Sequence, residues 1–200
     1  THRAVDVHRD RTAQPKGVEL ERSLRGNGLC RRKGERVKVE RESRIAVIGD
    51  GKLGILCAWA LASVNGTVTL IGKHAEKLKR AETNGVEIRK IPEITDLTRQ
   101  FDIVVEASGS ESGFGTALDL VRPRGTIVLK STFHGRPTWD AARVVVDEIS
   151  IVGSRCGRFQ PALDLLASRQ FDIERLIDDE FTLEDGVKAM ERAAERGVLK

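Results

Sequence analysis

The chain has 200 residues, of which 40% are hydrophobic and 32% charged, a composition typical of one or two globular domains. The net charge of +4 comes from one end, because residues 1–43 hold 12 basic and 7 acidic residues and the remainder holds 22 and 23. A nearly neutral body gives no support to nucleic-acid binding. No apolar run reaches the roughly 18 residues of a membrane span, and the first residues show no signal-peptide core.

The cysteine content bears on location rather than chemistry. Cys30, Cys57 and Cys156 are widely separated and odd in number. They predict neither a disulfide framework nor a zinc knuckle, so we expect a reducing, cytoplasmic environment.

Residues 1–36 contain no Phe, Trp, Tyr or Ile and show no sustained helical or strand period. Such a segment buries too little apolar area to offset the entropy of ordering, so a disordered basic tail is one interpretation. A basic arm for an anionic partner and an out-of-frame translation of GC-rich coding sequence are two others. The pattern becomes regular at Val37, so we expect a basic low-order segment over 1–36 and one folded domain over 37–200.

The central stretch of the chain begins at Ile45-Ala-Val-Ile48, which predicts a strand buried on both faces. Gly49, Gly51 and Gly54 follow as G-x-G-x-x-G, and the apolar run Ile55–Val64 predicts a helix. Strand, glycine turn and helix in this order are the context that the dinucleotide fingerprint requires. The alternative is an ordinary tight turn between strand and helix that binds nothing.

Each glycine has a distinct physical role in such a turn. Gly49 allows the chain to turn sharply off the strand, and Gly51 lets a diphosphate approach the backbone. Gly54 lets the helix pack closely against the strand.

The backbone between the glycines, rather than the side chains, is expected to face the diphosphate. Free N–H groups at the start of the helix, around Lys52 and Leu53, attract an anion together with the positive end of the helix dipole. We expect the side chains of Asp50 and Lys52 to be solvated and to have no chemical role.

The rest of the chain alternates between strand and helix patterns. Predicted strands lie at Thr67–Ile71, Val86–Lys90, Asp102–Ala107, Thr126–Lys130 and Glu148–Val152, with a short strand-like run at Glu180–Leu183. Predicted helices lie at Ala75–Thr83, Ser110–Val121, Ala162–Arg169 and Glu184–Arg196, with a short helix or loop at Pro92–Gln100. This alternation predicts an α/β fold with a doubly wound parallel sheet, strand order 3-2-1-4-5-6, and a ligand at the carboxyl ends of strands one and four.

Four separated motifs occur in a fixed order: Val47–Gly54, Val105–Gly109, Leu118–Val128 and Val152–Gly157. They resemble the cofactor-binding half of the medium-chain, zinc-type alcohol dehydrogenases, and the similarity runs from about Val37 to Lys200. The resemblance implies a Rossmann domain that binds NAD(P) in an enzyme interconverting alcohols and carbonyls by hydride transfer. In that family a separate N-terminal domain holds the catalytic zinc through a cysteine, a histidine and an acidic residue.

No counterpart of that zinc domain precedes Val37, and the chain ends near the point where the family re-enters it. We therefore expect this chain to supply cofactor binding, with zinc in the missing domain and no catalysis by this chain alone. The expected ligands are a nicotinamide dinucleotide and, in the complete enzyme, a small alcohol or carbonyl. The sequence leaves self-association open.

The end of the second strand decides which dinucleotide the sequence predicts. NAD-binding members carry an acid there for the adenosine ribose, whereas this chain has Gly72. Lys73 and His74 follow, and basic residues at this place predict NADP rather than NAD. The alternative is a solvated loop.

Further contacts are assigned from the resemblance and from position at the same edge. Ser108 and Gly109 are expected near the nicotinamide-side ribose, although Ser108 would equally suit a helix N-cap. Ser131, at the end of the fifth strand, and Arg155, after the sixth, are expected to add contacts.

Two residues at this edge are weighed for chemistry. Cys156 is either a packed thiol, which we favour, or a reactive one whose pKa the neighbouring Arg155 lowers. His134 is a candidate general acid–base, although zinc-type dehydrogenases place the proton relay largely in the other domain.

The sequence leaves two rival functions open. One is a stand-alone NAD(P)-binding module or pseudoenzyme that binds the cofactor and turns nothing over. The other is a methyltransferase on a similar sheet, which would need an acid at the end of strand two, where Gly72 and Lys73 stand.

Overall fold

The computed structural model describes residues 37, 39–40, 42–132, 138–157, 159–195 and 197–199. The strands are β1 (Ile45–Ile48), β2 (Val68–Gly72), β3 (Val86–Lys90), β4 (Phe101–Glu106), β5 (Val121–Leu129) and β6 (Ser150–Gly153). They form one sheet in the order β3-β2-β1-β4-β5-β6, and every neighbouring pair is parallel. The predicted doubly wound fold and its strand order are confirmed.

Four helices connect strands, and two more follow β6. The connecting helices are α1 (Lys52–Asn65), α2 (Ala75–Ala81), α3 (Glu111–Leu120) and α4 (Ala141–Val146), and those after β6 are α5 (Phe159–Ala167) and α6 (Gly186–Ala194). The segment after β3 forms two 3-10 turns, Ile91–Glu93 and Thr95–Leu97. Helix α1 begins three residues before the predicted Ile55, because Gly51 already serves as its N-cap.

The hydrophobic core has two layers, one on each face of the sheet. Strand β1 contributes to both, and none of its four residues exposes more than 1% of its surface. Alternate residues Ile45 and Val47 pack in the layer that contains α1, and Ala46 and Ile48 pack in the layer that contains α3. The prediction that this strand is buried on both faces is therefore confirmed.

Two sequence-based elements differ from the structure. Glu180–Leu183 is not a strand: it leads into a 3-10 turn at Leu183–Asp185, and Leu183 is 93% exposed, without the neighbours that a sheet would supply. Strand β5 begins at Val121 and not at the predicted Thr126, and it contains an irregularity where the register jumps from Phe101↔Val121 to Ile103↔Thr126.

The start of the described chain already belongs to the core. Val37 and Val39 are buried in the α1 layer, and the domain boundary near residue 37 stays a prediction. Residues 1–36 lie outside the described residues, so the interpretation of that segment stays a prediction. Among the residues that the structure describes, no helix combines the length and the apolar character needed to cross a bilayer.

Two aspartates, the buried Asp147 and the half-buried Asp102, form ion pairs with arginines from distant segments of the chain. Arg99 donates from both terminal nitrogens to the Asp147 carboxylate, at 2.7 Å each, and these bonds and charges hold the pKa of Asp147 below its ordinary value. Burial would raise the pKa of Asp102, but hydrogen bonds from the Arg44 N–H and the Arg122 side chain outweigh it and lower the pKa.

We expect the free energy of unfolding to fall when the pH is lowered from neutral to about 3. Both aspartates have a lower pKa in the folded than in the unfolded chain. Their stabilisation is therefore complete above the ordinary aspartate pKa of about 3.9 and is lost as the pH falls through the folded values. Urea unfolding at several pH values measures this slope, and Asp147→Asn should reduce it.

Asp96→Asn is the control for that measurement, because the exposed Asp96 side chain forms no ion pair with a described residue. It should leave the pH slope of the wild type in place. Equal slopes for Asp147→Asn and the wild type would contradict the role given to the Arg99–Asp147 pair.

Candidate functional site

The carboxyl ends of β1 and β4 meet at Gly49, the first glycine of the turn. Gly49 has a φ of +121° and its N–H donates to the Ile71 carbonyl at 2.8 Å. A Cβ on Gly49 would lie 2.6 Å from the Ala107 carbonyl oxygen and 2.8 Å from the Ser108 Cα. The turn off β1 therefore requires glycine both for its backbone conformation and for its contact with the end of β4.

The second glycine differs because no atom of the described residues occupies the space beside it. Gly51 has an ordinary extended conformation, with φ −80° and ψ 171°, and a Cβ placed on it would meet no atom within 4 Å. The fold itself therefore does not need glycine at this position. Open space over a glycine at the start of a helix is what a diphosphate requires.

The N-terminus of α1 supplies donors to that space. The first intrahelical bond runs from the Ile55 N–H to the Gly51 carbonyl at 3.0 Å, and no side chain caps the helix. The N–H groups of Lys52, Leu53 and Gly54 therefore lack a partner within the helix. No acidic residue stands in the first turn to compete for them, so this 14-residue helix fits a bound anion.

The third glycine is a packing residue. A Cβ on Gly54 would lie 1.8 Å from the Gly49 carbonyl oxygen, so α1 approaches the turn more closely than any other residue permits. This close approach agrees with the role predicted for Gly54. The side chain of Lys52 is exposed, as expected, and Leu53 leaves 41% of its surface exposed at the same end of the helix.

Asp50 contradicts the sequence-based expectation of a solvated side chain. Only 8% of the residue is exposed, and its Oδ2 accepts hydrogen bonds from the N–H of Lys73 at 2.7 Å and of His74 at 2.6 Å. The imidazole Nδ1 of His74 lies 3.0 Å from the same oxygen. The carboxylate therefore joins the glycine turn to the end of β2.

The space beside Gly72 is consequently filled, whereas the sequence alone suggests that it is open. A Cβ on Gly72 would lie 2.5 Å from the Asp50 Cβ and 2.6 Å from its Oδ2. Glycine stands at the end of β2 because the Asp50 side chain crosses from the neighbouring turn into that volume. The side chains of Lys73 and His74 are exposed beside it.

The ends of β4 and β5 are held together by serine hydroxyls. The Gly109 N–H donates to the Ser131 Oγ at 2.7 Å, and the Ser108 Oγ donates to Glu106 Oε1 at 2.6 Å. The Ser110 N–H donates to the Ser108 Oγ at 3.1 Å, so the Ser108 side chain holds the segment that leads into α3. The N-cap residue of α3 is Ser110 and not Ser108. The structure thus brings Ser108, Gly109 and Ser131 into one cluster.

Arg155 and its neighbour stand apart from that cluster. The guanidinium of Arg155 is exposed and makes no ion pair with a described residue, and the Arg155 carbonyl accepts a hydrogen bond from Lys130 Nζ at 3.1 Å. Cys156 is exposed, so the favoured expectation of a packed thiol is wrong. His134 lies outside the described residues.

Sequence reasoning missed two acidic residues that are structural elements of this edge. Glu106 exposes 5% of its surface and receives the N–H and hydroxyl of Ser108. Asp50 receives the N–H groups of Lys73 and His74. The available signal was a charged residue in an unusual place, because Glu106 directly follows the apolar run Ile103–Val105 and Asp50 stands between two glycines.

The described residues contain no group of three or more His, Cys, Asp or Glu side chains that could hold a metal ion. The donors that they present at this edge are backbone N–H groups and hydroxyls, which suit an anionic, hydroxyl-rich ligand. The described part of the chain therefore does not fit a zinc site.

Comparison with known proteins gives one family. The family described as zinc-binding dehydrogenase matches residues 53–168. A sorbitol dehydrogenase of Halalkalibacterium halodurans is 27% identical over 171 residues, covering 77% of this chain and 49% of the relative. The D-arabinitol dehydrogenase 1 of Uromyces fabae is 27% identical over 188 residues, covering 83% and 52%. The chain thus spans about half the length of the curated relatives it matches.

Solved structures share the fold of the chain at low identity. An Escherichia coli alcohol dehydrogenase solved with NADH superposes with a TM-score of 0.73 at 18% identity, covering 90% of this chain and 56% of its own. A Sinorhizobium meliloti zinc-binding dehydrogenase bound to NADP gives a TM-score of 0.72 at 21% identity, covering 90% of this chain and 55% of its own.

The family match extends over more than half of the chain, and the fold and motif order agree with it. The chain belongs to the zinc-type medium-chain alcohol dehydrogenase family and contains the family's cofactor-binding domain.

Proposed function

We propose that the carboxyl edge of the sheet binds a nicotinamide dinucleotide, with the diphosphate on the turn from Gly49 to Gly54. The observation that carries the proposal is the open space beside Gly51, where a side chain would meet no atom of the described residues within 4 Å. The N–H groups at the start of α1, which lack a partner within the helix, supply the donors. Ser108, Gly109 and Ser131 are proposed to face the nicotinamide-side ribose, and Arg155 to add a contact from β6.

In the complete enzyme we propose the reversible oxidation of an alcohol to a carbonyl, with hydride passing to the nicotinamide. A polyol is the proposed substrate class, since the relatives described above are sorbitol and D-arabinitol dehydrogenases. Zinc, when bound, would polarise the alcohol oxygen. This chain's own part is to bind the dinucleotide and to orient its nicotinamide at the end of β4.

Two features at the end of β2 favour different dinucleotides. Lys73 and His74 are the reason that the sequence predicts NADP, and that prediction stays untested. The buried carboxylate of Asp50 lies between them and favours NAD, because it would repel a 2′-phosphate and accept a bond from a 2′-hydroxyl.

We expect the 200-residue chain to bind a reduced dinucleotide and to show no turnover of alcohols. Fluorescence titration with NADH and NADPH tests the binding. An assay with sorbitol, oxidised cofactor and added Zn²⁺ tests turnover, and Gly51→Val provides a non-binding reference.

The two halves of this result have separate meanings. Absence of binding to any nicotinamide dinucleotide would overturn the proposed function. Binding together with zinc-dependent turnover would show that the chain is catalytic by itself, against the expectation drawn from its residues. Binding without turnover is also what the stand-alone module would give, and joining the chain to a family zinc domain would then distinguish the two by whether activity appears.

A further inference from the structure

We infer that Asp50 is the residue by which this chain discriminates NAD from NADP: its carboxylate, carried on the glycine turn after β1, replaces an acid at the end of β2 and faces the adenosine ribose. The inference rests on the proposed binding of a nicotinamide dinucleotide. It names a specificity residue on a different strand end from the one where the fold ordinarily places it.

The Asp50 side chain fills the space that a side chain at position 72 would occupy. Its Cβ, Cγ and Oδ2 lie 2.5, 2.8 and 2.6 Å from a Cβ built on Gly72. An acid at position 72 and an acid at position 50 therefore exclude one another sterically. The carboxylate at this place is therefore carried on the turn after β1 and not on β2.

The Asp50 carboxyl group is charged. Burial alone would raise the pKa of Asp50, but the hydrogen bonds from His74 and Lys73 outweigh it and hold the pKa below its ordinary value. The group is therefore a carboxylate at every pH at which the protein is expected to work. A negative charge with 12% of its side chain exposed is only partly screened by water.

The donors around Asp50 are already engaged and leave little for a phosphate. The N–H groups of Lys73 and His74 and the Nδ1 of His74 all converge on one oxygen, Oδ2 of Asp50. They are consequently not free to bind a 2′-phosphate, whereas the other carboxylate oxygen, Oδ1, can accept a bond from a ribose hydroxyl. Lys73 and Lys90, the register partner of Gly72 on β3, are exposed cations nearby, and an exposed lysine contributes little because it is mobile and solvated.

The test compares NAD and NADP affinities, measured by calorimetry, in the wild type and in Asp50→Asn. Adenosine 2′,5′-bisphosphate and ADP are titrated in parallel, because they report on the 2′-phosphate without the nicotinamide half. The wild type should bind NAD about tenfold or more tightly than NADP, which is about 1.4 kcal/mol. In Asp50→Asn the ratio should move towards NADP by a similar factor, mainly through tighter binding of the 2′-phosphate ligands.

Two further variants keep the result interpretable. Asp164→Asn makes the same chemical change on α5, where the carboxylate accepts a bond from Gln160 and is exposed, and should leave the ratio within about twofold of the wild type. Asp50→Ser removes the charge with a smaller side chain and should shift the ratio in the same direction as Asp50→Asn. Thermal unfolding of each variant shows whether the binding change accompanies a loss of structure.

Several outcomes would overturn the inference while leaving the proposed function intact. These are a wild type that prefers NADP, an unchanged ratio in both Asp50 variants, or weaker NADP binding in those variants. Weaker NADP binding in Lys73→Ala with unchanged NAD binding would show that the basic residues, and not Asp50, determine the cofactor specificity. Failure of the wild type to bind any of the ligands would overturn the proposed function and this inference with it.

Discussion

Gly51→Val is expected to abolish dinucleotide binding and to leave the melting temperature close to that of the wild type. The backbone of Gly51 is in a conformation that any residue adopts, and its side-chain position is open, so the protein gains no steric conflict. A bound diphosphate, however, needs that same space. We expect the affinity to fall by about a hundredfold or more, since the anion would lose several hydrogen bonds to N–H groups of the helix, each worth about 1.5–3 kcal/mol. Calorimetric titration measures the loss.

Gly54→Val is the matched control, because it makes the same change three residues later with the opposite consequence. Its Cβ would lie 1.8 Å from the Gly49 carbonyl oxygen, so α1 must move away from the turn. We expect the free energy of unfolding to fall by several kcal/mol, roughly 3 or more, with binding lost as a secondary effect. Unchanged affinity in Gly51→Val would mean that the turn is structural only. Equal losses of stability in the two variants would contradict the separation of their roles.

The glycine turn and the sheet could be predicted because both follow from local rules. β-branched runs bounded by glycine identify the buried strands, and the alternation with helices fixes parallel pairing and strand order. The roles of Gly49, Gly51 and Gly54 follow from their spacing after a strand. The structure agrees with the strand order and with the packing roles of Gly49 and Gly54, because none of these depends on the rotamer of a distant side chain. The role of Gly51 towards a diphosphate stays a prediction.

The end of β2 could not be predicted in the same way. Asp50 and Gly72 are 22 positions apart, and their contact arises only when β1 and β2 pair and a single rotamer carries the carboxylate across. A sequence pattern records that Gly72 lacks a side chain but not that another side chain fills its place. The exposed Cys156 is a similar case, since its exposure depends on how the chain leaves β6 and not on its neighbours in sequence.

Trp59→Ala is expected to have the largest effect on stability among single changes away from the site. The indole exposes 2% of its surface, stacks on Phe171 with ring centroids 5.5 Å apart, and donates from Nε1 to the Ala81 carbonyl at 2.8 Å. Ala81 is the last residue of α2, where carbonyls have no partner within the helix. Trp59 on α1 thus packs against two later segments and satisfies one of these carbonyls.

We expect Trp59→Ala to reduce the free energy of unfolding by about 3–5 kcal/mol, because it removes a large buried ring and leaves a cavity beside Phe171. Trp59→Phe is the matched variant, since it keeps an aromatic ring for stacking and removes the donor to Ala81. Its loss should be smaller, about 1–3 kcal/mol, because the buried Ala81 carbonyl is left without that donor and the smaller ring underfills the site. Urea unfolding followed by circular dichroism measures both without relying on tryptophan fluorescence. Equal losses in the two variants would assign the effect to the hydrogen bond, whereas a loss below about 1 kcal/mol in Trp59→Ala would show that Trp59 does not connect α1 to α2 and Phe171.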